Sequence, residues 1–166
     1  MSTPHHRRIV FLDVDGVLNN RAWVDQLLRG DEEPESAFAA FQSLLDPEAV
    51  AHLNEIVAHT DAVVVVSSAW REVMTLDEIR EALSSRGFEG HVVDTTPTLP
   101  RGRGHQIAAW IEEHGVESVC FVALDDEHDM APIEAACVKT DSAVGLTRDH
   151  VLQAIELLLA GPPPRS

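Results

Sequence analysis

Two acids, Asp13 and Asp15, follow an apolar run in the segment IVFLDVDGVLNN, residues 9 to 20. A carboxylate at the end of a buried strand loses hydration energy unless a partner compensates it. Two neighbouring carboxylates also repel each other, so a shared cation or a proton held by one of them would relieve both costs. Because residues two apart in an extended segment point the same way, both acids can act at one place.

Phosphoryl transfer is the chemistry that these residue types suit. Asp13 can attack phosphorus as a carboxylate nucleophile and form an aspartyl-phosphate. Asp15 can protonate the leaving oxygen and then deprotonate the attacking water. Gly16 permits the tight turn that follows the two acids. The segment therefore predicts a catalytic pair of aspartates at the end of the first strand.

Polar residues also follow two later apolar runs. The run VVVVSS ends in Ser67 and Ser68, and the run VALDDEHD contains Asp125 and Asp126. Ser67 can hydrogen-bond a phosphoryl oxygen. Asp125 or Asp126 can help Asp13 to hold Mg²⁺, a hard cation that prefers carboxylate and phosphate oxygens. Each signal alone also fits a cap, a turn or a solvated loop, but their order at three strand ends favours one site.

Basic and aromatic residues offer further contacts for a substrate. In RGRGH, residues 101 to 105, Arg103 or Arg101 can neutralise charge on the phosphoryl group and the attacking carboxylate. Trp70 could stack on a base or instead pack under the neighbouring insertion. Arg71 could contact a second phosphate or pair with a surface acid. The candidate substrate-binding residues are Ser68, Trp70, Arg71 and Arg101.

The rest of the chain alternates between strand and helix patterns. Strands are predicted at residues 8–14, 61–68, 90–94, 118–126 and 137–140. Helices are predicted at residues 46–60, 75–87, 104–115 and 147–161. This alternation is typical of a three-layer α/β fold, a parallel sheet with helices on both faces. Ligands in such sheets bind at the carboxyl ends of the strands, where the candidate residues lie.

Composition limits the class of protein. The chain has 166 residues, 45% of them hydrophobic, which fits a single domain with a core at about residues 8–160. It has no run of the roughly 18 apolar residues that a membrane span needs and no secretory signal pattern, so we expect a cytoplasmic protein. The net charge of −16 excludes an extended basic surface for nucleic acid. Cys120 and Cys137 match no zinc or redox spacing and are expected to be buried free thiols.

Two segments interrupt the regular pattern. Residues 20–45 contain helical pieces broken by GDEEPES and form a small, cap-like insertion after the first strand. Such a short insertion predicts an open site that can admit a phosphate at the end of a polymer. The tail, residues 161–166, is expected to be disordered.

Trp110 repeats with Ile107 and Ile111 at helical spacing, which indicates a core position.

The motifs together resemble a known superfamily. FLDVDGVLN resembles the first motif, DxDGxL, of the haloacid dehalogenase (HAD) superfamily, VVVVSS its second, RGRGHQI the place of its third and VALDDEHD its fourth. SSAWR, RGxxIxxW and LDD further resemble the HAD domain of the "Swiss Army Knife" RNA-repair proteins. The match covers about residues 8 to 160.

The resemblance implies a Rossmann-like fold and dependence on Mg²⁺. It implies Asp13 as nucleophile, Asp15 as acid and base, Ser67 as phosphate ligand, and metal binding by Asp13, by the backbone carbonyl of Asp15 and by the pair at 125–126. The second aspartate favours phosphatases or phosphomutases over dehalogenases. The third motif is usually a lysine, and here Arg103 aligns best with Arg101 as its rival.

The expected function is hydrolysis of a phosphomonoester. The substrate would be a nucleotide, a nucleic-acid terminal phosphate or another small phosphomonoester, recognised locally because the chain is so acidic. The alternative is a catalytically silent phosphate-binding or interaction module on the same fold. A receiver-type signalling domain fits less well, because its phosphorylated aspartate normally ends a later strand.

Overall fold

The sheet is five-stranded and entirely parallel. The computed structural model describes residues 8–116 and 120–161. The strands are β1 (Arg8–Leu12), β2 (Val63–Val66), β3 (Val92–Thr95), β4 (Cys120–Asp125) and β5 (Cys137–Lys139), in the order β3-β2-β1-β4-β5. The predicted α/β fold class is confirmed. Residues 118 and 119 of the predicted fourth strand, and residues 162–166 of the predicted disordered tail, lie outside the described residues.

Six α-helices accompany the strands in the described part of the chain. They are α1 (Arg21–Leu28), α2 (Ala37–Leu44), α3 (Pro47–Thr60), α4 (Leu76–Ser85), α5 (Arg103–Glu113) and α6 (Arg148–Leu159). Short 3-10 helices occupy Ala69–Glu72 and Glu134–Ala136. Helices α3 to α6 match the four predicted ones. Helix α3 begins as its sequence predicts, since Asp46 caps the Glu48 amide and Pro47 takes the first position.

Strands β1 and β2 are shorter than their predicted ranges, 8–14 and 61–68, for identifiable reasons. Asp61 ends α3 in the left-handed conformation, with φ of 56°, so β2 starts only at Val63. After Leu12 the chain bends into a turn in which Leu18 donates to the carbonyl of Val14. Asp13 lies between the last residue of β1 and this turn, which begins at Asp15.

The core lies in two layers, one on each face of the sheet. Val10 and Leu12 of β1 pack with helices α3, α4 and α6, whereas Ile9 and Phe11 pack with α5. This alternation follows from the two-residue period of a strand. The burial of one such side chain stabilises the fold by about 1.5–3 kcal/mol. Trp110 lies in the α5 layer, 6% exposed, as its helical spacing predicts.

The insertion after β1 forms helices α1 and α2 on the surface. Neither helix contains a fully buried residue. Trp23 of α1 is held by a hydrogen bond from its indole nitrogen to the carbonyl of Ser43, 3.0 Å away, and by the Arg86 guanidinium above its ring. The insertion therefore consists of two short surface helices.

The structure tests the expectations for the two cysteines and for membrane-spanning helices. Cys120 and Cys137 are free but only half-buried, so the expectation of buried thiols is wrong. Cys137 lies on β5, which is the last strand in the order of the sheet, and packs partly buried against the core on the α5 side. Among residues 8–116 and 120–161, no helix is both long enough and apolar enough to cross a membrane.

A close backbone approach fixes the start of α5. A β-carbon built on Gly104 would lie 2.2 Å from the carbonyl oxygen of Met130 and 2.3 Å from that of Ala131. Only glycine lets the first turn of α5 sit this close to the loop after β4. The position of Arg103, at the start of α5, therefore depends on Gly104.

We predict that Gly104→Ala destabilises the protein by about 1–3 kcal/mol, the usual cost of overpacking, because backbone atoms must move. Gly102→Ala is the matched control, since its added β-carbon meets no atom within 4 Å. Chemical denaturation of both variants checks this. Equal stabilities of the two variants would show that the first turn of α5 has more room than the structure gives it.

Candidate active site

The carboxyl ends of three neighbouring strands are held together beyond the last strand residues. The amide of Asp13 donates to the carbonyl of Leu124 at 3.0 Å, and the amide of Ser67 donates to that of Leu12 at 2.9 Å. These bonds continue the sheet ladder past β1 and β2. By the same two-residue alternation, Asp13, Ser67 and Asp125 project toward the α5 side of the sheet.

Three carboxylates converge at this edge. Asp13, Asp125 and Asp126 each offer an oxygen, and the three oxygens lie within 4.8 Å of one another. Asp13 and Asp125 are buried, 5% and 1% exposed. Gly16 makes room for Asp126, because a β-carbon at Gly16 would lie 2.3 Å from Asp126 Oδ2. Gly16 also has a φ of +83°, which other residues rarely adopt.

Arg103 is the cation that faces these acids. One of its terminal nitrogens lies 3.1 Å from Asp13 Oδ1 and 3.0 Å from Asp125 Oδ2. Arg101 is exposed on the loop before α5. The geometry therefore brings Arg103, and not Arg101, to the acidic cluster.

Burial and mutual repulsion dominate the ionisation of the cluster. Burial, followed by the charge of Asp125, raises the pKa of Asp13 from 3.8 to about 8, although Arg103 opposes the change. Burial likewise raises the pKa of Asp125. Burial works against the charge on Arg103, but Asp13 and Asp125 outweigh it and raise the pKa of the guanidinium. A further positive charge placed among these acids would therefore stabilise their ionised forms.

The donor set fits a hard divalent cation. Carboxylate oxygens are the ligands that Mg²⁺ prefers, and three of them are available at one place. Two of the three carboxylates are out of water, where a cation relieves the most repulsion. Asp125 Oδ1 also accepts a hydrogen bond from the Glu127 amide at 3.0 Å, which fixes its orientation.

Asp15 occupies a different environment from Asp13. Its side chain is exposed, and Oδ1 accepts hydrogen bonds from Asn19 Nδ2 at 2.8 Å and from Trp70 Nε1 at 3.2 Å. Asn19 Oδ1 in turn accepts from the Gly16 amide at 2.9 Å. The carboxylate of Asp15 is therefore fixed on one oxygen and accessible to solvent.

Ser67 presents a buried hydroxyl to the site. Its Oγ is fully buried and has no hydrogen-bond partner among the described residues. A buried hydroxyl without a partner is costly, so a ligand oxygen that bonds to it is strongly favoured. This observation is consistent with the predicted role of Ser67 toward a phosphoryl oxygen.

Three predicted substrate-binding residues are occupied within the protein. Ser68 is fully buried, and its Oγ accepts from the Trp70 amide at 3.2 Å, capping the 3-10 helix. Trp70 is only 4% exposed and packs edge-on against Phe41 of α2, so it is not available to stack on a base. Arg71 donates to the carbonyls of Ser67 and Ser68 rather than pairing with a surface acid.

Three further residues support the site without having been predicted. Asn19 donates a hydrogen bond to the Asp15 carboxylate, and its position four residues after Asp15 is the sequence signal that could have identified it. Thr140 Oγ1, at the end of β5, donates to the Gly16 carbonyl at 2.7 Å, so the strand-end rule could have found it. Gln106 accepts from Arg71 at 2.7 Å and donates to the carbonyls of residues 99 and 101. No sequence signal identified Gln106.

The parallel sheet with acids at the ends of β1 and β4 and a serine at the end of β2 defines a HAD-type α/β protein. The family model described as "HAD domain in Swiss Army Knife RNA repair proteins" matches residues 9–151. The chain therefore belongs to this family, and the predicted resemblance is confirmed. The searches of curated proteins and of solved structures returned no match.

We predict that Asp13→Asn stabilises the metal-free protein at pH 8. Between about pH 4 and pH 8, Asp13 holds its proton when folded and loses it when unfolded, so stability falls as pH rises through this window. Asparagine cannot ionise and escapes this loss. Each kcal/mol gained should raise Tm by roughly 2–4 °C.

Thermal melting in chelator between pH 4 and pH 8 measures the effect. Asp129→Asn, a change at an exposed acid in the loop after β4, is the matched control. The difference between Asp13→Asn and wild type should vanish near pH 4. A difference that does not grow with pH would mean that Asp13 is ionised throughout.

Proposed function

We propose that the chain is a Mg²⁺-dependent phosphomonoester hydrolase that works through an aspartyl-phosphate on Asp13. The observation that carries this proposal is the contact of Arg103 with both Asp13 and Asp125. The unpartnered, buried hydroxyl of Ser67 follows the neighbouring strand β2 at the same edge of the sheet. Asp13 would be the nucleophile, Arg103 would supply positive charge, and the Ser67 hydroxyl would donate a hydrogen bond to a phosphoryl oxygen. Family membership supports hydrolase chemistry in general.

The first half-reaction transfers the phosphoryl group to the protein. A carboxylate oxygen of Asp13 attacks phosphorus, a new phosphorus–oxygen bond forms, and the bond to the leaving oxygen breaks. Arg103 stabilises charge on the phosphoryl oxygens, and Ser67 Oγ donates to one of them. Asp15 gives its proton to the leaving oxygen, which departs as a neutral alcohol.

The second half-reaction returns Asp13 to its starting state. Asp15, now a carboxylate, takes a proton from a water molecule that attacks phosphorus. The bond between phosphorus and Asp13 breaks, and inorganic phosphate leaves. Asp15 is exposed at the turn, where both the leaving group and the water have access to it.

Mg²⁺ would be held by Asp13, Asp125, Asp126 and the backbone carbonyl of Asp15, and it would supply positive charge that neutralises the phosphate oxygens and the acids together. The residues that provide the side-chain ligands are those whose oxygens converge. Asp126 is half-buried and contacts the Gly16 turn, so it can reach both the cation and the edge of the site.

The substrate we propose is a nucleotide, a nucleic-acid terminal phosphate or another small phosphomonoester. The insertion is limited to α1 and α2, which leaves room for a phosphate at the end of a chain. The net charge of −16 opposes long contacts with a polyanion, so recognition would be local. RNA with a terminal phosphate fits both conditions and accords with the family's description.

A screen of phosphatase activity with and without Mg²⁺ tests the proposal. It should include nucleotides, RNA and DNA with terminal phosphates at either end, and para-nitrophenyl phosphate. We predict Mg²⁺-dependent release of phosphate that falls at least about 1,000-fold in Asp13→Asn, because an amide is not a useful nucleophile. Asp129→Asn should retain wild-type activity. Full activity in Asp13→Asn would exclude the mechanism, and no turnover of any substrate would favour a silent phosphate-binding module.

We further predict that Mg²⁺ stabilises the wild type by about 2.7 kcal/mol at 100 times its Kd. The double variant Asp125→Asn with Asp126→Asn should lose most of this gain. The matched control removes two exposed acids, Asp129→Asn with Glu134→Gln. Thermal melting with and without Mg²⁺ provides the comparison. An equal Mg²⁺-induced rise in Tm in both double variants would place the cation elsewhere.

A further inference from the structure

The indole nitrogen of Trp70 makes its hydrogen bond to the carboxylate of Asp15. The Nε1–Oδ1 distance is 3.2 Å, and the same oxygen accepts from Asn19 Nδ2 at 2.8 Å. Asp15 and Trp70 are 55 positions apart in the chain. The bond therefore joins the turn after β1 to the 3-10 helix after β2.

Packing holds Trp70 in this position. The side chain is 4% exposed, and Phe41 of α2 meets its ring edge-on with the ring centres 5.0 Å apart. On the other side, Ser68 Oγ accepts the amide of Trp70 and sets the start of the 3-10 helix. Because its backbone and α2 fix the Trp70 ring, the indole N–H points at the Asp15 carboxylate. Together with Asn19 Nδ2, this N–H holds one oxygen of the otherwise exposed carboxylate of Asp15.

We infer that Trp70 is a positioning residue that fixes the orientation of Asp15 toward the leaving group, and that α2 of the insertion supports it through Phe41. This inference rests on the proposed role of Asp15 in proton transfer. Because both donors bind Oδ1, Oδ2 is the oxygen left to exchange a proton with the leaving oxygen or with water. The insertion would then contribute to catalysis without touching the substrate.

The consequence can be measured as a dependence on the leaving group. An alkyl alkoxide needs a proton as it departs, whereas para-nitrophenolate needs it much less. A residue that positions Asp15 should therefore matter for an alkyl phosphate and matter little for para-nitrophenyl phosphate. A residue with a merely structural role should affect both substrates equally.

Trp70→Phe is the decisive variant, because phenylalanine keeps most of the ring packing against Phe41 and removes the N–H. Trp110→Phe is a matched control. Trp110 is also buried, and its Nε1 also donates to a carboxylate, Asp94 Oδ2, at 2.8 Å in the opposite layer of the core. Both variants lose one indole N–H bonded to an acid, and only Trp70 faces Asp15.

We expect Trp70→Phe to lower kcat about tenfold on the best alkyl phosphate from the screen, part of the roughly 100-fold or more that proton transfer contributes. The loss on para-nitrophenyl phosphate should be less than about twofold, and KM should change little on either substrate. Trp110→Phe should not alter the ratio of the two rates. In the background of Asp15→Asn, adding Trp70→Phe should cause no further loss on the alkyl phosphate.

A spectroscopic measurement tests the contact itself without turnover. The chain has three tryptophans, so the indole N–H region of a ¹⁵N-edited spectrum contains three signals, which the Trp→Phe variants assign. Asp15→Ala should shift the Trp70 signal and leave the Trp110 signal in place. Asp94→Ala should do the reverse.

The outcomes separate this inference from the proposed function. If Asp13→Asn is inactive but Trp70→Phe slows both substrates equally, the mechanism stands and the positioning role is overturned. An unmoved Trp70 signal in Asp15→Ala overturns it in the same way. If the wild type hydrolyses no phosphate at all, both the proposed function and this inference fall.

Discussion

The arrangement of this protein depends on holding two buried carboxylates, Asp13 and Asp125, against a single guanidinium. The two acids are 5% and 1% exposed, and Arg103 lies within 3.1 Å of both. A buried ion pair is costly to assemble, because each charge gives up water, and it is more costly to break. Burial, followed by the charge of Asp125, raises the pKa of Asp13 to about 8, and the single charge of Arg103 does not offset these effects. A divalent cation bound among these acids would offset the excess of negative charge.

The surrounding elements can be understood as the means of keeping that cluster in place. Gly104 allows α5 to approach the loop after β4, and so brings Arg103 within reach. Gly16 clears the space for Asp126 and receives the Thr140 hydroxyl on its carbonyl. Arg71 and Gln106 join the end of β2 to the loop before α5. Each of these contacts comes from a different segment, so the geometry of the site is a property of the whole sheet edge.

Sequence reasoning predicted the fold, because uninterrupted apolar strands alternating with capped helices leave few alternatives. It also predicted the acids at the strand ends, which follow from the topology of a parallel sheet. It could not choose between Arg101 and Arg103, because that choice depends on how closely α5 approaches. It left open whether Trp70 stacks on a base or packs under the insertion, and it proposed Ser68 as a substrate ligand, since an aromatic and a hydroxyl beside a site look alike whether they face the ligand or support it. Burial under Phe41, a contact between distant segments, decided the matter for Trp70.

The central claim is that Asp13 carries the phosphoryl group between the two half-reactions, and rapid acid quench followed by mass spectrometry tests it most directly. Wild-type protein is mixed with Mg²⁺ and a phosphomonoester that it hydrolyses. The reaction is quenched within one turnover, and the protein is digested and analysed. The account predicts one added phosphoryl group on the peptide that contains Asp13, appearing before inorganic phosphate and absent in Asp13→Asn. Release of phosphate with no phosphorylated peptide, or with the group on another residue, would contradict it.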